Sequence, residues 1–421
     1  MNTLVITTSN IDHIQQGPVR PDITVVVWKL SSLDRTTLSR LPNLTKLICS
    51  NCGLTTLDGI EGCPQLTKLN CSKNKIRSLL RLNALKNLQS LNCIDNELST
   101  IDDMYSCTTL TKLYCTNNKL SRLTGISNFP LLEDLVCDHC DLVSLEELSS
   151  CPLLEYLDCS HNQISSLMGL EGCAQLDQLR CNNNILTSLD YISNCSQLDV
   201  ISCSDNKLRS LAGLNTSSLR YLYCVYNQLV HHTEYFSAPL LKELSCAHNS
   251  LINLGLIKGC PQLKRIECSS NDLTHVYELV NCPMLTELLC DYNKIITLDG
   301  IQACTQLREL TGSYNLIESL VPLSNCTSLV MLNIHNNRLD SLVGLEACTA
   351  LRTLSCQNNQ LVTLRGIEGC TDLCSLICYS NQLTTLESLV YLRRLITLKY
   401  FCNPLAIQTI QVTRFLERIQ T

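Results

Sequence analysis

The stretch 154–175, LEYLDCSHNQISSLMGLEGCAQ, decides how the rest of the chain is read. Leucine stands at its positions 1 and 4, cysteine at 6 and asparagine at 9. Apolar residues follow at 11 and 14, glycine at 16 and a second cysteine at 20. Stepping 22 residues either way lands on the same pattern. Units begin at Leu44, Leu66, Leu88, Leu110, Leu132, Leu154, Leu176 and Leu198. After one 21-residue step they resume at Leu219, Leu241, Leu263, Leu285, Leu307, Leu329, Leu351, Leu373 and Leu395. That makes sixteen full units and a seventeenth that runs into the C-terminal segment.

A 421-residue chain would ordinarily be two or three domains. A repeat that short overrides the estimate, because units that bury their apolar face only against neighbours stack into one solenoid. The LxxLxC segment supplies a short strand whose residues 4 and 6 point inward by alternation, and stacked units pair these strands into a parallel sheet. Asparagine at 9 ends the strand, and its amide is expected to bond backbone groups of its own and adjacent units. The row runs from Asn74 to Asn403, with Cys52 and Cys140 in its place in two units. The GIxxC segment is too short for a long helix and predicts a turn of 3₁₀ helix on the convex side. The expected fold is therefore an α/β repeat solenoid, a horseshoe with a concave parallel sheet and short 3₁₀ or turn segments outside.

The 29 cysteines sort by unit position: fourteen at 6, eleven at 20, two at 9, and Cys374 and Cys402 outside the pattern. Inward rows of thiols read as small buried hydrophobes. Burial in an apolar setting also quiets the sulfur, which argues against catalysis. No cofactor or metal is expected. His139 and His161 share position 8 of adjacent units, close to Asp138, and are read as surface residues. The opening MNTLVITTSNIDHIQQ lacks a basic segment followed by an apolar core, so a secreted disulfide framework is not expected. The net charge of −6 offers no footprint for nucleic acid, and no apolar run reaches the ~20 residues of a membrane helix.

The ends depart from the repeat. Residues 1–22 form a lead-in, and residues 23–43 read as a degenerate unit with Val26, Trp28 and Leu33 at strand and turn positions. The array spans 44–403. Residues 404–421 carry Ile407, Ile410, Phe415, Leu416 and Ile419 at roughly helical spacing, which predicts an amphipathic helix over the last unit. In the ninth unit VHHTEYFSAP (residues 230–239) replaces the usual convex segment, which reads as a local kink.

The 22-residue unit LxxLxxNxIxxLxGIxxCxx resembles the SDS22-like class of leucine-rich repeats, which includes a phosphatase-1 regulatory subunit and the internalins of Listeria. The variant with cysteine at both 6 and 20 looks like repeat proteins of large DNA viruses and of some intracellular bacteria. The resemblance implies a non-catalytic scaffold that binds a partner protein on its concave face. It leaves open a phosphatase-regulator-like adaptor, or a structural or adhesive surface component of a virus or bacterium. The expected state is a cytoplasmic monomer, in a host cytoplasm if the protein is viral or an effector.

Outward strand positions, 3, 5, 7 and 8, hold the residues that vary. Eight of fourteen tyrosines lie there, including Tyr221, Tyr223, Tyr226, Tyr292 and Tyr314. Glu243, Arg265 and Glu287 follow along position 3, and Asp134 and Asp158 belong to an acidic patch on earlier units. Tyrosine and arginine dominate interface hot spots, because they bury much area at low entropic cost. These ten residues are the candidate partner-binding surface.

Neighbouring position-6 thiols lie about one strand spacing apart, yet their Cβ vectors run side by side rather than toward each other. All 29 cysteines are accordingly expected to be reduced. Mass spectrometry of freshly purified protein, denatured and alkylated, should count 29 blocked thiols; several surviving bridges would contradict this reading.

Overall fold

The computed structural model describes residues 2–214, 216–230 and 238–420, and the irregular segment of the ninth unit falls mostly outside them. The chain divides into two compact units, Met1–Leu208 with Gly213–Thr216 and Arg209–Ala212 with Ser217–Thr421. In the first, ten parallel strands run in sequence order from Thr3–Ile6 and Val25–Trp28 to Gln178–Arg180 and Val200–Ser202. The second has nine, from Tyr221–Tyr223 and Glu243–Ser245 to Ser375–Ile377 and Thr397–Lys399. Within the array the register steps by one repeat, so Lys46 faces Lys68 and Glu243 faces Arg265. Each array strand is three residues long, and its middle residue is the inward leucine or isoleucine of position 4.

The inner side is filled by the framework. Leu154, Leu157, Cys159, Ile164, Leu167, Leu170 and Cys173 of one unit are all buried, and the same positions are buried in its neighbours. The convex segment takes two forms. Where glycine occupies position 16, it has a left-handed φ, and a three-residue 3₁₀ turn follows in several units, as in Ile60–Gly62, Leu170–Gly172 and Ile301–Ala303. The glycine is required. A Cβ at Gly169 would sit 2.1 Å from the Leu145 carbonyl oxygen of the preceding unit. In many units where another residue stands there, a five-residue 3₁₀ turn starts two residues earlier, as in Leu80–Ala84 and Val321–Asn325.

Asparagine at position 9 ties units together through four or five bonds. Asn184 Nδ2 donates to the carbonyls of Cys159 (3.0 Å), Cys181 (3.2 Å) and Asn182 (3.1 Å), and its Oδ1 accepts from Ile164 N at 2.9 Å. Two of those four groups, Cys159 and Ile164, belong to the preceding unit. The same geometry recurs at Asn96, Asn271, Asn337 and Asn381. Cysteine fills the position by a different bond. The Cys140 thiol donates to the Cys115 carbonyl at 3.2 Å, the one an asparagine amide would reach, and the Cys52 thiol donates to the Trp28 carbonyl at 3.1 Å. The thiol thus replaces the donor half of the amide and brings no oxygen for the N–H of position 11.

At the ends, Thr3–Ile6 pairs in parallel with Val25–Trp28. Val26, Trp28 and Leu33 are buried, and Trp28 Nε1 donates to the Ser32 carbonyl at 3.0 Å. The C-terminal helix is Ile410–Gln420, and it packs on the 3₁₀ turn Glu387–Tyr391. Its buried face differs from the expected one: Val412 and Phe415 are covered, whereas Ile407 and Ile410 are exposed. The helix begins at Ile410, so Ile407 lies outside it and Ile410 falls off the Val412–Phe415 stripe. No helix among the described residues is long and apolar enough to cross a membrane.

Asn184→Ala leaves four backbone groups without their partner and should cost about 1–3 kcal/mol. Cys140→Asn should act in the opposite direction, stabilising by about 1 kcal/mol, because it supplies an acceptor to Leu120 N. Urea midpoints of the two variants check both signs. Equal shifts would show that position 9 does not bridge the units.

Candidate functional site

Strand alternation leaves positions 3 and 5 on the open face, mostly half-buried between neighbours one strand spacing away. Position 8 follows a stronger rule. In all seventeen units it is a non-glycine residue in the left-handed region, with φ between 52° and 56°. Such a conformation is tolerated best by Asn, Asp and His, and ten of the seventeen are of those types, Asn51, Asp95, His139 and Asn183 among them. Tyr226, Tyr292 and Tyr314 adopt it as well. Left-handed residues repeated once per unit stack their rings. His139 lies on His161 at 4.1 Å between centroids, Tyr226 on His248 at 4.2 Å and Tyr292 on Tyr314 at 4.3 Å.

The candidate residues therefore divide into two sets. Tyr226, Tyr292 and Tyr314 stand exposed on the ledge where the strands end. Tyr221, Tyr223, Glu243, Arg265 and Glu287 stand on the strands themselves. Arg265 gathers three carboxylates. Its guanidinium hydrogen-bonds Glu287, lies 3.5 Å from Glu243 and lies 3.9 Å from Glu267. Burial raises the Tyr223 hydroxyl above its ordinary pKa, and the adjacent Glu243 carboxylate, also its hydrogen-bond partner, raises it further. That phenol stays protonated and can donate. The structure thus brings Tyr223, Glu243, Arg265 and Glu287 into one connected set.

Asp134 and Asp158 belong to the first compact unit. Asp134 pairs with Lys112 and lies 3.3 Å from the Tyr114 hydroxyl, and Asp158 Oδ1 accepts from Ser160 N at 3.1 Å. The Asp134 charge is matched by a lysine, so the acidic patch is weaker than its sequence suggests. His139 Nδ1 sits 3.0 Å from Asp138, and among the described residues no group of three or more His, Cys, Asp or Glu is arranged to hold a metal.

Position 7, expected to face outward with 3, 5 and 8, is half-buried in most units, as 3 and 5 are, and is close-packed in five: Ser72, Ser160, Ala247, Ser313 and Gln357 are buried. The left-handed residue that follows turns the chain there and ends the strand's alternation after position 7. Sequence reasoning counted this row as outward but named none of Asp291, Ser313 and His335 among the candidates. The thiols behave as packing. Burial pushes Cys71 and Cys246 up to about 12 and Cys107 up to about 11, and all 29 cysteines are free. The spacings Cys49–Cys52 and Cys137–Cys140 arise because cysteine fills both positions 6 and 9 of those units, where Cys49, Cys137 and Cys140 are buried and Cys52 is half-buried.

A family model described as leucine-rich repeats in two copies matches residues 42–85. Among solved structures, the functional domain of InlJ from Listeria monocytogenes, which includes a cysteine ladder, is 26% identical with a TM-score of 0.64. The alignment covers 87% of this chain and 74% of that one. This is a leucine-rich-repeat fold. YopM from Yersinia enterocolitica is 23% identical over 95% of this chain and 90% of its own, with a TM-score of 0.62. The plant peptide hormone receptor RGFR1, solved in complex with RGF2, aligns at 21% identity and a TM-score of 0.70, covering 91% of this chain and 71% of the receptor. No curated protein matches the sequence.

Proposed function

We propose that this leucine-rich-repeat protein is a non-catalytic scaffold that binds a partner protein on the concave face of its sheet. The observation that carries the reading is the connected set Tyr221, Tyr223, Glu243, Arg265 and Glu287 on consecutive strands of the second compact unit. The tyrosines offer area with a polar tip, and the guanidinium is held rigid by its carboxylates before any partner arrives, so little rotamer entropy remains to be lost. Tyr226, Tyr292 and Tyr314 would extend the surface along the ledge, and Asp134 and Asp158 form a secondary candidate patch in the first unit. The free thiols support residence in a reducing compartment such as a cytoplasm, with the protein acting as a monomer. Within this reading, the SDS22-like repeat supports an adaptor of the phosphatase-regulator kind as the narrower form.

Tyr221→Ala combined with Tyr223→Ala should abolish binding of a partner isolated by affinity capture, at about 2 kcal/mol or more per tyrosine, while the fold survives. Calorimetry measures the affinity and circular dichroism reports the fold. Unchanged affinity would move the site to the patch around Asp134 and Asp158.

A further inference from the structure

The last strand of the second compact unit, Thr397–Lys399, pairs with Ser375–Ile377 on one side. In the repeats before it, main-chain groups are closed by the following repeat in a regular way. The carbonyl of position 2 accepts from the N–H groups of positions 2 and 3 of the next repeat, as Cys374 does from Ile396 (2.8 Å) and Thr397 (3.0 Å). The N–H groups of positions 6 and 8 donate forward, as Cys378 does to the Lys399 carbonyl (2.8 Å) and Ser380 to that of Phe401 (3.0 Å). The N–H of position 11 meets the next asparagine, as Leu383 N meets Asn403 Oδ1 at 3.1 Å. In the repeat that begins at Leu395 the corresponding groups are the Ile396 carbonyl and the N–H groups of Tyr400, Cys402 and Leu405. None of these four has a hydrogen-bond partner among the described residues.

The side chains at this edge are as open as its backbone. Leu376 and Cys378 are fully buried, whereas Leu398 and Tyr400, one register on, are only half-buried. Ile396 is 74% exposed and Phe401 57%. Phe401 lies flat on Tyr379, 4.5 Å between centroids and 7° between planes. One face of its ring thus continues the stack of the ledge, and the other faces away from the array. The helix Ile410–Gln420 settles on the convex turn Glu387–Tyr391 and leaves Ile396 and Phe401 in the open. The first strand of the chain, Thr3–Ile6, is finished differently. Asn10 Nδ2 donates to the Val5 carbonyl at 2.8 Å, and Ile6 and Ile14 are buried.

We infer that the edge at Thr397–Lys399 takes an extended segment of a partner polypeptide as one further parallel strand. The segment carries an apolar residue, a second apolar residue two places on, and an asparagine three places after that. The apolar pair covers Leu398 and Tyr400, the main chain of the segment meets Ile396, Tyr400 and Cys402, and the asparagine oxygen accepts from Leu405 N. A ring placed just after the second apolar residue stacks on the free face of Phe401. Strand addition draws affinity from main-chain bonds and specificity from alternate side chains, and an open edge is a template for it. The order of the open groups selects the occupant. A second copy related by a two-fold axis would run antiparallel, which carries its own asparagine to the far end of the strand and leaves Leu405 N unanswered. This surface is separate from the concave face and would give the scaffold a second contact.

A fluorescein-labelled decapeptide TKLTLYNNKL, which carries the pattern, titrated by anisotropy against the full chain tests it. It should bind with a Kd of about 100 μM or tighter, and the same residues in scrambled order should not bind. N-methylation of its second residue, whose N–H reaches the Ile396 carbonyl, should weaken binding about tenfold or more. Amide hydrogen exchange should slow at Tyr400 and Cys402 when the peptide is bound. Ile396→Lys combined with Phe401→Asp alters two exposed side chains, so the fold should persist by circular dichroism while the peptide is lost. No binding up to about 1 mM, equal binding of the scrambled peptide, or unchanged exchange at Tyr400 and Cys402 would overturn the assignment. So would sedimentation showing that the chain alone dimerises and that Ile396→Lys restores the monomer, which would give the edge to a second copy.

Discussion

The asparagine amide at position 9 is the interaction on which the rest depends. Parallel three-residue strands leave many carbonyls and N–H groups at their ends with nowhere to go, and a buried unpaired group is costly. One primary amide answers several of them at once. It has two N–H bonds to give and two lone pairs to receive, and at Asn74 these serve the carbonyls of Cys49, Cys71 and Ser72 and the N–H groups of Cys52 and Leu54. Cys49, Cys52 and Leu54 belong to the unit before. The bond that ends one strand therefore also fixes the spacing to its neighbour, and the sheet, the buried leucines and the cysteine rows follow from that spacing.

Two further positions accept strain so that this bond can form. The residue before the asparagine is left-handed in every unit, which turns the amide inward at a cost on the order of 1 kcal/mol for most side chains. Glycine at 16 lets the convex chain pass within contact of the previous turn, and many units without it use a longer 3₁₀ turn. The left-handed residue has a second effect. It projects one side chain per repeat from the same place at the same angle, and that is why rings stack there. Part of the surface proposed for recognition is thus a by-product of the geometry that closes each unit.

Most of the fold was legible in the sequence, because Leu, Cys, Asn and Gly recur at fixed positions and each type has one physical use there. The strand and 3₁₀ assignments followed from spacing alone, and so did the inward course of Leu157 and Cys159. The site was legible only in part. Tyr223, Glu243, Arg265 and Glu287 could be placed on one face because period-2 alternation and a 22-residue register determine it. The left-handed backbone at position 8 was foreshadowed by the Asn, Asp and His residues that crowd it, types that tolerate positive φ. The pairing of Lys112 with Asp134 was in principle readable from the register, since the two share position 3 of adjacent units. At the C-terminus, helical spacing was read from Ile407, three residues before the helix starts, and the true stripe through Val412 was missed.

The asparagine bonds have a direction. Each amide reaches back to the carbonyl of position 6 and the N–H of position 11 in the unit before it, and none reaches forward. A repeat is thus completed by its successor. During synthesis the chain emerges from its N-terminal end, so the newest repeat always waits, open, for the next 22 residues to arrive. Growth from the ribosome is then a zipper that lags one tooth behind translation. A pause at any codon in the array exposes the same short list of backbone groups, whichever repeat it interrupts.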